Sequence, residues 1–251
     1  MVEEGKYLYC IIGTDEARNF GPLGIGGRDD TVTSISHDGL SCVISDAPIK
    51  QYAISRENTI AHEKAIEEVM RQGYTLLPVR FGTVADSAQE VRDLLRKRYT
   101  EFKNLLRDMD NKVELGVKAL WLDMDVIFTE ILEEREDIKR LRDKVARKPS
   151  RDSMIRVGEL VKEALEKKKE KEAAVILDAV AKLCADVRTN NNFGDRMFLN
   201  AAFLVDKGWE KEFDNEIEAL KAKYEKRAKI TYVGPAPPFN FVNIVIHLEG
   251  K

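Results

Sequence analysis

The sequence has little of what most site chemistry needs. Three cysteines, Cys10, Cys42 and Cys184, are scattered through 251 residues. None forms a C-x-x-C or stands near a histidine at metal-ligand spacing, so the expectation is reduced, mostly buried thiols in a cytosolic protein. The three histidines fall in a turn (His37), on a helix (His62) and in the last strand (His247), which gives no zinc spacing; neither a metal nor a cofactor is expected. No apolar run approaches the roughly 18 to 20 residues that cross a bilayer. The opening Met1-Val2-Glu3-Glu4-Gly5-Lys6 has neither the basic start nor the apolar stretch of a signal peptide. Positive charge is not in excess either: 41 Lys and Arg face 44 Asp and Glu, a formal net charge of −3. That balance argues against nucleic acid or an anionic membrane as the partner.

What is abundant is charge of both signs, 34% of residues beside 43% hydrophobic, which suits a globular protein with long solvated helical faces. Lys6 to Ile12 is aromatic and β-branched and reads as a strand. A glycine-rich loop, Gly21 to Gly27, leads to strands over Thr31 to Ser36 and Leu40 to Ser45, joined by the turn His37-Asp38-Gly39. Glu57 to Gln72 carries His62, Ile66, Val69 and Met70 on one helical face and stops at Gly73. Thr75 to Phe81 is a strand that Pro78 confines to an edge. Ser87 to Glu90 has the spacing of a capping box, opening one long helix whose apolar stripe runs from Val91 to Met109.

The stripe ends at Asp110, where the sequence places a domain boundary: residues 1–110 form one α+β domain and 111–251 a second. Val113 to Trp121 alternates as a strand, with Val113, Leu115, Val117, Ala119 and Trp121 pointing one way and Glu114, Gly116 and Lys118 the other. Two long helices follow, about Val126 to Lys148 and Asp152 to Ala185. The polar run Glu166 to Glu172 reads as a tip projecting into solvent. Met197 to Val205 reads as a central strand, and a helix bearing Trp209, Phe213, Ile217, Leu220 and Tyr224 on one stripe comes next. Lys229 to Val233 is a strand, and Phe241 to Leu248 an extended C-terminal one. With a short strand near Asp186 to Thr189, the second half is a modified ferredoxin-like split βαβ with an enlarged helical hairpin.

The chemistry is sparse. The glycine-rich loop runs into Asp29-Asp30 and a strand, whereas a phosphate site needs the glycines to enter a helix N-terminus; a surface loop is the better reading. His62 has no nucleophile signature beside it and reads as a hydrogen-bonded core histidine. Carboxylates such as Glu130, Glu133, Glu134, Glu136 and Asp137 follow a helix and read as a solvated face. Arg80 ends an apolar strand and must find a partner or reach the surface; an ion pair is weighed there against a binding contact. No catalytic residue is assigned.

Several segments together resemble the gas vesicle protein F/L family: Tyr7 to Ile12, Gly24 to Gly27, Leu77 to Thr83, Val113 to Lys118, Leu199 to Val205, and Gly234 to Val242. The last departs from the family pattern at Ala236, where an aromatic residue is usual. The resemblance implies a non-enzymatic accessory or minor structural protein of gas vesicle assembly, cytoplasmic and vesicle-associated. It further implies as partners the small hydrophobic shell protein and other gas vesicle accessory proteins. A soluble partner with a groove or sheet edge would shield the apolar face of such a shell protein before it polymerises. Arg80, Phe239 and Phe241 are the candidate partner-binding residues, with core packing the competing reading for the two aromatics. Two further readings stand beside this: a general interaction or regulatory module contacting partners through the helical hairpin, and a small-ligand enzyme using Gly21 to Gly27 with Arg80.

Overall fold

The computed structural model describes residues 3–242 and 244–246. It is a mixed α/β chain with two antiparallel sheets, dividing into two compact units. The first takes in the chain up to Glu114 together with the segment from Pro235 onward; the second runs from Leu115 to Gly234. The boundary expected at Asp110 therefore lies four residues later, and 111–251 is not one body. The reason is in the C-terminal side chains. Val242 and Ile244 bury among Leu77, Val79 and Leu95 of the first unit, and Val79 bridges Ile244 in parallel. Apolar area removed from water at this point outweighs chain proximity. Among the described residues of the expected strand Phe241 to Leu248, that bridge is the only sheet pairing; its last two residues, His247 and Leu248, lie outside the described range, as does Asn243.

The first unit is built on strand β1 (Glu4–Ile12). It pairs antiparallel with β4 (Leu40–Pro48), β5 (Leu76–Pro78) and β6 (Val84–Ala85). The sheet order is β2 (Asn19–Gly21), β3 (Val32–His37), β4, β1, β5, so Pro78 does sit on an edge strand, where its missing N–H costs no ladder bond. β1 is apolar on both faces and supplies two separate cores. Tyr7, Tyr9 and Ile12 enter one with Ala65, Ile66 and Val69 of α1 (Arg56–Arg71). Leu8 and Ile11 enter the other with Val91 and Leu95 of α2 (Ala88–Lys97) and Phe102 of α3 (Tyr99–Met109). A register shift between Leu8 and Cys10 puts Tyr9 and Cys10 on the same side; the extra residue of a bulge explains why strict alternation fails here. The β3–β4 turn needs left-handed backbone at both central residues, Asp38 at φ 48 and Gly39 at φ 74, the primed geometry that matches strand twist. The expected long helix after Ser87 is broken at Arg98 into α2 and α3, while its apolar stripe continues across the break.

The second unit carries the sheet β10 (Ala228–Ala236), β7 (Lys112–Trp121), β9 (Met197–Asp206), β8 (Asp186–Thr189), in that spatial order. Helices α4 (Met124–Glu134), α5 (Glu136–Arg147) and α6 (Arg151–Val180) lie between β7 and β8 in sequence, and α7 (Glu210–Tyr224) between β9 and β10. The first of the two expected long helices is thus interrupted at Arg135. Nine of the ten residues of β9 are buried, with Trp121 stacked on Phe198 at 5.1 Å and Phe203 against Phe213 at 5.3 Å. Phe213, Ile217, Leu220 and Tyr224 are buried as expected. Trp209 is 52% exposed, because it belongs to a 3-10 turn before α7 begins and falls off the helical stripe.

Two polar stretches carry buried charged residues. Glu114, on the face of β7 opposite to Val113 and Leu115, is itself buried, within the first unit. Its carboxylate accepts the backbone N–H of Asn240 at 2.8 Å and the Asn240 side-chain amide at 2.5 Å. Burial pushes its carboxyl above the ordinary range while the two Asn240 bonds pull it back. The run Glu166 to Glu172 is not the expected solvent tip: Lys168 and Lys169 are 9% and 5% exposed.

Candidate functional site

Helix α1, the turn after β5 and the returning C-terminal segment enclose a cleft of about 230 Å³ in the first unit, lined in part by His62, Val79, Arg80, Phe81, Phe239 and Val242. Gly82 at φ 82 lets the chain reverse just after Phe81. Val79 donates its N–H to the Tyr9 carbonyl at 2.9 Å, which leaves Arg80 on the outer side of the edge, exposed. Its partner question is thereby answered: among the described residues the guanidinium makes no ion pair and reaches the surface, where desolvation is small.

Behind His62 and Phe81 lies a buried, hydrogen-bonded aromatic layer that includes Tyr7 and Tyr9. The Tyr7 hydroxyl shares a hydrogen bond with His62 Nδ1 at 3.1 Å and accepts the Gly82 N–H at 2.9 Å. Tyr9 bonds Ser45 at 3.0 Å and accepts the N–H of Ile25 at 2.9 Å, which fastens the glycine-rich loop. His62 stacks on Tyr9 at 5.7 Å and meets Phe81 edge-on at 5.6 Å. Burial pulls the His62 pKa down to about 4, against a weaker opposing pull from a hydrogen bond to the Val79 backbone. The imidazole is therefore neutral at pH 7 and held as a core group, as its helical position suggests. Burial raises Tyr9 to about 12 and Tyr7 further. Among the described residues, the side chain hydrogen-bonded to His62 is that of Tyr7, whose raised pKa keeps it a phenol. A mainly apolar cleft with the Arg80 guanidinium and the Glu63 carboxylate in its lining can seat an apolar side chain beside a polar group.

Of the residues singled out from sequence, Arg80 and Phe239 meet in this cleft. Phe241 does not line it and is half-buried one residue before Val242. Sequence reasoning did not single out Thr59, Glu63, Val79, Phe81 or Ile244 as site residues, though they also line the cleft; only the return of the C-terminal segment brings them into use, and no local pattern signals that. The glycine-rich loop takes part in a separate, open cleft with α1, lined by Leu23, Gly24, Asp29, Arg56 and Lys64; the loop itself leads into β3, not into a helix. Cys10 and Cys42 are buried with raised pKa values, set first by desolvation.

The second unit holds a charged cluster at α6. Arg227 reaches Glu130 at 2.7 and 2.8 Å and Glu172 at 2.5 and 3.0 Å. Trp121 donates its indole N–H to Glu172 at 2.9 Å, and Lys168 pairs with Glu130 at 3.0 Å and Glu134 at 2.7 Å. The Arg227 fork, ahead of Lys168, holds the Glu130 carboxyl down to about 2. Lys169 closes the group through Glu166 and the Gly194 carbonyl. Every charge here is answered by another, so the cluster ties α4, α6 and the end of α7 together and presents no reactive group. No group of His, Cys, Asp and Glu among the described residues could hold a metal ion, and no described helix is long and apolar enough to cross a membrane.

These features define a two-unit α+β protein whose first unit offers an apolar, arginine-rimmed cleft. Residues 5–243 match the family model described as gas vesicle synthesis protein GvpL/GvpF, and the chain belongs to that family. It is 31% identical over 248 residues to gas vesicle protein F of Nostoc sp. PCC 7120, covering 97% of this chain and 100% of the relative. The crystal structure of GvpF from Anabaena sp. PCC7120 superposes with a TM-score of 0.82 at 29% identity, over 97% of this chain and 100% of that one. That of GvpF from Microcystis aeruginosa gives 0.79 at 29% identity, over 94% and 98%. The role of the chain is therefore a gas vesicle role.

Proposed function

We propose that this protein is a non-enzymatic accessory or minor structural protein that binds the gas vesicle shell protein and supports vesicle assembly, with other accessory proteins as further partners. The observation that carries the reading is the family match over nearly the whole chain together with an apolar cleft rimmed by an unpaired arginine. A shell protein whose assembled form has an apolar face aggregates unless that face is covered first. Phe239, 38% exposed, and Arg80 are the contacts proposed for that task, with Phe241 supporting the turn that presents Phe239. The second unit is proposed to be a modified ferredoxin-like split βαβ, for which the strand order β10-β7-β9-β8 and the helix placement speak. The place of action is the cytoplasm, at the vesicle.

The test is co-expression with the major shell protein, a pull-down, and blotting of washed, floated vesicles. Capture with retention on floated vesicles marks a structural component; capture without retention marks an assembly chaperone. Absence from both overturns shell-protein binding and favours a general interaction module. Within the same assay, Arg80→Ala with Phe239→Ala should lower capture at least tenfold while the melting temperature stays within about 2 °C, since both side chains are exposed. A loss of folding instead would make Phe239 a packing residue.

A further inference from the structure

Helix α6 is 30 residues long, about 45 Å at 1.5 Å per residue, yet its buried residues begin only at Ala164. Over Arg151 to Glu163, roughly 20 Å of helix, no residue is buried. Helix α5 buries only Ile138 and packs on α6. The two make an arm whose outer part, among the described residues, buries no side chain of α6. Its charge is not that of the chain. From Ile138 to Gly158 there are eight Lys and Arg against two Asp, within a protein whose formal net charge is −3. Arg140 and Arg142 have carboxylates within reach. Lys144, Arg147, Lys148 and Arg151, around the turn, pair with none among the described residues.

Two more observations turn a charged tip into a surface with a shape. Met154 and Ile155 are 59% and 52% exposed immediately beside the basic turn. Gly158 lies four residues after Met154 and three after Ile155, on their side of the helix. Glycine is the least favourable interior helix residue after proline, and nothing in the fold asks for it here, since a Cβ built at Gly158 meets no atom within 4 Å. A bare backbone flanked by two exposed apolar side chains is what lets another helix approach closely. We propose that the outer α5–α6 arm docks an acidic amphipathic helix of a partner protein. The partner's carboxylates face Arg147, Lys148 and Arg151, and its apolar stripe crosses Gly158 between Met154 and Ile155. The chemistry favours a protein over the alternatives. No aromatic residue occurs between Thr129 and Asn192, so the arm lacks the stacking groups of single-stranded nucleic-acid binders and the ring anchors of membrane-surface helices. This surface uses none of the residues of the Arg80 cleft and does not depend on shell-protein binding there.

The experiment uses the full chain and a fluorescently labelled synthetic helix with glutamate on its polar face and leucine on its apolar stripe, read by anisotropy. Binding is expected at low salt and should weaken as salt screens the charges. Arg147→Gln/Lys148→Gln/Arg151→Gln should lose at least tenfold in affinity, and Gly158→Leu likewise, with the melting temperature of Gly158→Leu equal to or above that of the parent. A lysine/leucine counterpart should not bind. The proposal is overturned if both variants bind like the parent. It is also overturned if polyglutamate or phosphatidylglycerol vesicles bind as tightly as the glutamate/leucine helix and ignore Gly158→Leu, because the arm would then be a surface for charge alone.

Discussion

Lowering the pH should weaken the first unit through one side chain, His62. In the folded protein its pKa lies at about 4, against 6.5 when free, because the ring is 4% exposed and desolvation disfavours the charged form. Between these two values the unfolded chain binds a proton that the folded chain refuses, so stability rises with pH across this window and is lost as pH falls from about 6.5 towards about 4. Below about 4 both states are protonated and the loss levels off. At 1.36 kcal/mol per pH unit, the full loss is about 3 kcal/mol, or roughly 6–12 °C in melting temperature for a chain of this size.

The assay can separate the two units, since both tryptophans, Trp121 and Trp209, lie in the second. Urea unfolding followed by tyrosine emission weights the first unit, which holds five of the seven tyrosines; tryptophan emission reports the other. His62→Asn keeps a side-chain oxygen that can accept the Tyr7 hydroxyl hydrogen and removes the titration. The stability gap between parent and variant should shrink by about 3 kcal/mol from pH 7 to pH 4, while the tryptophan-detected transition shows no such difference. A gap that stays constant over this range, or a His62 ring titrating above pH 6 by NMR, would refute the argument.

Other perturbations probe other parts of the structure. Arg227→Met strands Glu130 and Glu172, but Trp121 and Lys168 still reach them and Arg227 is one-third exposed. The cost should therefore fall to about 2–3 kcal/mol, below that of a fully buried pair, seen as a drop of roughly 4–12 °C in the tryptophan-detected melt; Arg227→Lys, keeping charge without the fork, should lose about half as much. Gly5→Ala drives a Cβ into the Ala85 carbonyl oxygen and to 2.8 Å from Ile49 Cγ1. Backbone cannot swing aside as a side chain can, so about 1–3 kcal/mol should be lost, and an unchanged urea midpoint would show that β6 yields freely. Glu114→Gln replaces a carboxylate that accepts two bonds from Asn240; about 1–2 kcal/mol should go, with increased proteolysis of the segment after Pro235 as the reading.

Which parts of this fold were legible follows from how far apart the deciding residues lie. β1, the Asp38-Gly39 turn and the cap of α2 were visible because the side chains that settle them are neighbours in sequence: Ser87 Oγ accepts the Glu90 N–H three residues on. The run Glu166 to Glu172 failed for the opposite reason. A helical stretch without an apolar stripe looks solvated, yet Glu172 and Lys168 are held by Arg227 and Glu130, 55 residues after one and 38 before the other in sequence. Local periodicity weighs a charged side chain as if water were its only partner. The same blindness hid half of the candidate cleft. Arg80 and Phe239 could be singled out, one as a charge ending an apolar strand and the other within an aromatic cluster. That they share a wall depends on the C-terminal segment returning to the first unit. Glu114 fixes that return by binding Asn240 across 126 residues, as does Arg98 by donating to the Val245 carbonyl across 147. In a chain whose fold is closed by polar contacts at such separations, a charged residue that looks merely solvated is the first place to search for the contact that sets the architecture.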